Sequence, residues 1–343
     1  MRKFRLLCAV MTLVYTQVPL RATALTAALD IPPIPTVAPA HNTAVAPGIT
    51  LIPGTFPEGQ QPDGNTVIFT APDGLIVMDT GRHAEHTQQI LDFAIQTKRP
   101  IKAIINSHWH LDHIGGNPRI RNAYSDVRIY ASDALEAAKQ GFLADYRRDL
   151  EGALQQEPNG AQAPGWRNEL AIIAAAPPAD ERIEASGAYL IAGRRLFIHL
   201  ERYAVTAGDV WVFDPDTHVL AAGDLVTLPV PFLDTACPRG WKRALAGLSR
   251  TRFNLLVPGH GAPMRRESFE TYQRAFDNLL ECAAVPEKPG DACVDGWLHD
   301  AGQLIAADDP QRVRKSMSFY VAHSLRAKPE SIVKLCGTRP ARG

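Results

Sequence analysis

From about Ile49 onward, short runs of β-branched apolar residues alternate with turn residues. Thr66-Val67-Ile68-Phe69 and Leu75-Ile76-Val77-Met78 flank Asp73-Gly74, which predicts a hairpin. Residues 86–96 (HTQQILDFAIQ) read as a helix, and Ile101–Ile105 as a strand of the buried type. Further strands are expected at residues 127–130, 189–197 and 210–213. Strands and helices interleave, which favours an α/β sandwich. Two regions depart from that rhythm. Residues 133–175 are rich in helix formers, with a polar, proline-containing break near residues 158–165, and predict a helical insertion. After Arg265 the pattern is again helical, first in ESFETYQRAFDNLLECAA and then from Val294 to about Ala327. Such helices could pack on the sandwich, cover a site or build an oligomer, and the sequence leaves the oligomeric state open. Residues 25–48 carry many prolines and almost no charge, so an extended leader is expected there, with the domain proper at 49–282 and a helical extension at 283–343.

Composition narrows the class. Apolar residues make up 45% and charged residues 21% of 343, a balance that suits a compact globular fold. Lys plus Arg (36) equals Asp plus Glu (36), so no basic surplus exists to meet a phosphate backbone, and a nucleic-acid partner is not expected. Residues 1–24 resemble a secretory signal: Arg2, Lys3 and Arg5, an apolar stretch from Leu6 to about Tyr15, then Ala22-Thr23-Ala24 as a cleavage site. That stretch is shorter than the roughly 20 apolar residues a spanning helix needs. The expected product is an exported, mildly acidic chain, periplasmic or extracellular, with no stable membrane span after cleavage. Cys8 lies in the signal, leaving Cys237, Cys282, Cys293 and Cys336. Four cysteines allow three connectivities. The close pair Cys282 and Cys293 is preferred as one bridge, which leaves Cys237 with Cys336; the competing reading is four buried thiols.

The segment Asn106-Ser107-His108-Trp109-His110-Leu111-Asp112-His113-Ile114-Gly115-Gly116 follows the apolar strand directly. At alternate positions in extended backbone, His108 and His110 project to the same side and can clasp one metal ion. Asp112 and His113 come as the chain turns toward a helix, so they point elsewhere and can hold a second. The glycine pair permits close backbone approach.

This segment resembles the H-x-H-x-D-H signature of the metallo-β-lactamase superfamily, and further pieces follow in order. Asp79 in Val77-Met78-Asp79-Thr80-Gly81 is similar to the family's buried aspartate behind the metal-binding loop. Asp224 in Ala222-Gly223-Asp224-Leu225 resembles the aspartate that bridges two metals in the glyoxalase II-like branch, and His260 in Pro258-Gly259-His260-Gly261 the last histidine ligand. The resemblance implies a four-layer αββα sandwich and a zinc hydrolase acting on a small molecule. Zinc takes imidazole and carboxylate ligands readily. It lowers the pKa of water from 15.7 to about 7, with Asp112 orienting the nucleophile and shuttling a proton. β-Lactams, thioesters, lactones and other esters are the substrates it suggests, although the best-known β-lactamase branches lack an aspartate at the place of Asp224. One position departs from the pattern: Val205 in Ala204-Val205-Thr206-Ala207-Gly208 stands where a ligand histidine is usual. The first set then keeps His108, His110 and Asp224, whereas the second keeps Asp112, His113, Asp224 and His260. One firmly held ion is expected in the second set and a weak or absent one in the first. His199 and Tyr203 lie nearby in sequence. Two other readings stand beside the hydrolase: a mononuclear iron oxygenase built on His108, His110 and Asp224, and a non-catalytic binding protein.

Overall fold

The computed structural model describes residues 42–56 and 60–337; the signal-like segment and the leader as far as residue 41 lie outside them. The first sheet contains, in spatial order, β1 (Thr43–Ala46), β2 (Ile49–Ile52), β3 (Thr66–Ala71), β4 (Gly74–Met78), β5 (Ile101–Ile105), β6 (Arg128–Ala131) and β7 (Glu181–Arg182). The end of the expected leader is therefore a packed strand, since β1 pairs antiparallel with β2. β3 and β4 form the expected hairpin, and β4 through β7 run parallel. The second sheet comprises β8 (Gly187–Ile191), β9 (Arg194–Glu201), β10 (Asp209–Asp214), β11 (Val219–Ala221) and β12 (Leu255–Val257), in the order β12-β11-β10-β9-β8. Residues 189–197, read as one strand, are split into the β8–β9 hairpin. Ala192 and Gly193 both take positive φ (47° and 79°) and turn the chain there.

Period-two burial makes the layers. Val67, Phe69, Ile76 and Met78 join Val210, Val212, Val219 and Val257 between the sheets. Ile68, Leu75, Val77 and Ile104 point the other way, onto Ile90 and Ala94 of α1 (Ala84–Thr97) and Ile120, which lies beyond the short α2 (Leu111–Ile114) in α3 (Asn117–Ala123). Strands apolar on both faces are what a sheet covered on both sides requires. The insertion folds as α4 (Ala134–Gln140), α5 (Phe142–Gln156) and α6 (Ala163–Ala175), whose Leu135, Leu143 and Ile172 pack on Trp109, Leu111 and Ile114 of the motif segment.

On the far face of the second sheet lie α7 (Pro238–Arg250) and α8 (Arg266–Ala283). The extension supplies α9 (Gly290–Asp300), α10 (Pro310–Tyr320) and α11 (Pro329–Leu335). Trp297, Val313 and Met317 are buried in one cluster with Trp211, Leu220 and Phe276, so α9 and α10 pack on the sandwich. Both disulfides are Cys282–Cys293, between α8 and α9, and Cys237–Cys336, which fastens the chain after α11 to the start of α7. Arg194 ties the sheets together: its Nε donates to Asp214 Oδ1 at 2.9 Å and its Nη1 to the Thr70 carbonyl at 2.6 Å. Among the described residues, no helix is long and apolar enough to cross a membrane.

Candidate metal centre

Topology brings the motif residues together. β4 and β5 are parallel neighbours in one sheet, and β11 and β12 in the other. Asp79 follows β4, the histidine-rich loop follows β5, Asp224 follows β11 in a single 3-10 turn, and His260 follows β12. Each is thus delivered at the carboxyl end of a parallel strand, where α/β folds gather their ligands.

The side chains converge in two groups. One ligand atom from each of His108, His110 and Asp224 lies within 4.8 Å of the others, and the same holds for Asp112, His113 and His260. Asp224 stands between the groups: Oδ2 is 3.7 Å from His108 Nε2, and Oδ1 is 3.1 Å from His113 Nε2 and 3.5 Å from His260 Nε2. Asp112 Oδ2 faces His260 Nε2 at 3.1 Å and His113 Nε2 at 3.6 Å. A Cβ on Gly259 would collide with Asp224 Oδ1, so the residue before His260 is restricted to glycine by this approach.

The opposite ring nitrogens are held from behind. Asp79, whose backbone takes a left-handed φ of 62°, accepts Ser107 N–H at 2.7 Å through Oδ1. Its Oδ2 accepts the Ser107 hydroxyl at 2.7 Å and His113 Nδ1–H at 2.8 Å. With its proton given to Asp79, the Ser107 oxygen accepts His108 Nδ1–H at 2.9 Å. Both imidazoles are thereby fixed with Nε2 free toward Asp224. His108 Nε2, His113 Nε2, His260 Nε2 and both oxygens of Asp224 are buried without a hydrogen-bond partner. Buried polar atoms are rarely left so, and aimed at one another they fit a shared cation.

The electrostatics agree. Burial, reinforced by His113 and His110, pulls His108 well below its usual pKa, and burial takes His110 down to about 4, so both are held neutral, the form that can bind a metal ion. Burial also disfavours charge on His113, but the carboxylates of Asp224, Asp79 and Asp112 outweigh it and hold that imidazole well above its ordinary value. Burial opposes ionisation of Asp112 and Asp224 as well, yet His113 and its neighbours keep both carboxyls below the usual range. The cluster is one that positive charge completes.

Val205 is fully buried and joins the core beneath the second sheet. Its carbonyl accepts the Thr235 hydroxyl at 2.9 Å, whose oxygen in turn accepts His110 Nε2–H at 2.8 Å. Thr235 thus fixes His110 with Nδ1 available, a role with no signal in the sequence. His199 stacks flat on Trp211 with ring centroids 3.7 Å apart, and neither it nor Tyr203 enters either ligand group.

Sequence reasoning also missed what surrounds Asp112. Arg82 Nη2 lies 3.4 Å from Asp112 Oδ1, and Arg82 Nη1 pairs with Glu169, which α6 brings in from the insertion. Tyr146 donates its hydroxyl to the same Glu169 at 3.1 Å. A pocket opens over His110 and Asp112, walled by Phe56, Trp109, Phe142, Tyr146, Phe232 and Tyr320. No periodicity marks these aromatics as a set, because they come from the motif segment, two separate loops, the insertion and the extension.

Residues 60–282 match the metallo-beta-lactamase superfamily. Among curated proteins the chain is similar to a linear primary-alkylsulfatase of a Pseudomonas species, 28% identical over 238 residues that cover 60% of this chain and 43% of that protein. Among solved structures, a metallo-beta-lactamase from Pontibacter korlensis superposes with a TM-score of 0.54 at 19% identity, over 69% of this chain and 99% of the other. A stereoselective inverting sec-alkylsulfatase from a Pseudomonas species gives a TM-score of 0.55 at 21% identity, over 84% of this chain and 49% of that one. The chain spans less than half the length of these alkylsulfatases. With a family match over most of its length, two facing sheets flanked by helices and the ligand groups at their carboxyl ends, the chain belongs to the metallo-beta-lactamase superfamily.

Proposed function

We propose that this chain is an exported zinc-dependent hydrolase that cleaves an ester-type bond in a small molecule with an apolar body. The observation that carries the reading is the set of buried, unpartnered ligand atoms on His108, His113, His260 and Asp224. His108, His110 and Asp224 would hold one ion, and Asp112, His113, His260 and Asp224 the other. The second set is the firmer, because Val205 contributes no ligand to the first. When bound there, zinc would bring the pKa of water down to about 7 and act as a Lewis acid on the scissile group.

The chain's own groups do the rest. Asp112 presents Oδ2 to the ligand cluster while Arg82 holds Oδ1, so its carboxylate is aimed to orient an attacking water and take its proton. The aromatic walls receive the apolar body and exclude bulk water above the reacting atoms. Carboxylic esters, thioesters, lactones and, by analogy with the alkylsulfatases, sulfate esters fit this arrangement. A β-lactam fits less well: its carboxylate needs a cation, and Arg82, the only arginine or lysine among the described pocket-lining residues, is already paired. Two disulfides and a signal-like start support export.

The test is metal analysis of the purified chain followed by a hydrolysis screen on carboxylic ester, thioester, lactone, sulfate ester and nitrocefin substrates. Zinc with turnover supports the reading. Iron with oxygen uptake, or no metal at all, refutes it.

A further inference from the structure

The pocket above Asp112 has more structure than ester cleavage needs. One bank is a ladder of rings: Trp109 lies 5.0 Å from Phe142, and Phe142 6.4 Å from Tyr146, with α5 supplying the last two. The other bank is Phe232, set edge-on to His260 at 5.1 Å, together with Tyr320 from the end of α10. Beside them Asp234 also lines the pocket, and Tyr320 donates its hydroxyl to Asp234 Oδ2 at 2.7 Å. Insertion and extension, the two additions to the sandwich, thus meet over the site.

Charge on the walls is one-sided. Arg82 is the only arginine or lysine lining the pocket among the described residues, and Asp112 and Glu169 both face it. Among the described residues Asp234 forms no ion pair with a basic side chain. Burial pushes its carboxyl up to about 6, a shift that a cation beside it would reverse. Arg312 stacks on Phe56, one of the pocket walls, at 4.4 Å and does not itself line the pocket. Aromatic faces carry negative quadrupole potential and bind organic cations, most strongly when a carboxylate stands beside them.

We propose that the outer pocket is a subsite for an apolar group bearing positive charge, such as an alkyl- or arylammonium, with Asp234 as its counter-charge and the aromatic banks as its walls. The subsite rests on the proposed hydrolase reading for its relation to a substrate, since the cation would sit at the end of the substrate remote from the scissile bond. Its binding does not depend on turnover.

The test is calorimetric titration of the zinc-loaded full chain with phenyltrimethylammonium and tert-butylbenzene, which are similar in size and differ in charge. The cation is expected to bind roughly tenfold more tightly than the neutral probe. Asp234→Asn should remove most of that preference, whereas Phe142→Ala should weaken cation and neutral probe alike. Equal or tighter binding of tert-butylbenzene overturns the proposal, as does an unchanged preference in Asp234→Asn or unchanged binding of both probes in Phe142→Ala. Zinc content and ester turnover, measured on the same samples, report separately on the hydrolase reading.

Discussion

The hydroxyl oxygen of Thr235 lies 2.8 Å from Nε2 of His110, and through the Thr235 proton it joins that ring to the carbonyl of Val205. A residue with no place in the sequence motif therefore decides which nitrogen of a motif histidine faces the cluster. Thr235→Val keeps the shape and removes the acceptor, so His110 is free to rotate and change tautomer. Zinc affinity of the first group should fall about 10- to 100-fold while the second is unaffected. Competition against a chelating dye, resolving two affinities, checks this.

Val205→His restores an imidazole where the family pattern has one. The expected outcome is a rise in zinc content from about one toward two equivalents per chain, read by elemental mass spectrometry. An unchanged content would mean that Val205 does not face the first group.

Arg82 joins the insertion to Asp112 through Glu169. Arg82→Met leaves Glu169 buried without its partner and frees Asp112 to turn. A loss of about 3 kcal/mol of stability is expected, because one member of a buried pair is removed. Catalytic efficiency should fall by about two orders of magnitude through kcat, since a misplaced carboxylate is a positional fault. Chemical denaturation and steady-state kinetics on one variant separate the two effects.

Much of the core was legible in the sequence because its strands carry period-two patterns. β5 falls where Ile101–Ile105 was read, and β3 and β4 where the Asp73-Gly74 turn required. The motif histidines and aspartates were legible because metal chemistry restricts residue type and spacing together. What was not legible depends on contacts between distant segments. The turn at Ala192-Gly193 was hidden inside a continuous apolar run, and β1 lay within a proline-rich stretch that became a strand by pairing with β2. Thr235, Arg82 and Glu169 act through partners 30 to 125 residues away, and local sequence carries no trace of them.

Asp214 links pH to the joint between the sheets. Burial alone would raise its pKa, but the Arg194 guanidinium and the Thr217 hydroxyl outweigh this and hold it below the usual carboxylate range. A carboxyl with a depressed folded-state pKa stabilises fully above its unfolded value and loses that contribution as pH falls through the folded one. The stability difference between wild type and Asp214→Asn should therefore be about 2 kcal/mol near neutrality and shrink as pH falls from about 5 toward 3. Denaturant midpoints across that range check the sign.

The account stands most directly on zinc retained by the purified full chain after dialysis against metal-free buffer, compared with His260→Ala under the same treatment. Wild type should hold about one equivalent or more, and the variant should lose most of it while unfolding as cooperatively as wild type. A wild-type chain free of zinc, or a His260→Ala chain that keeps it all, would contradict the account.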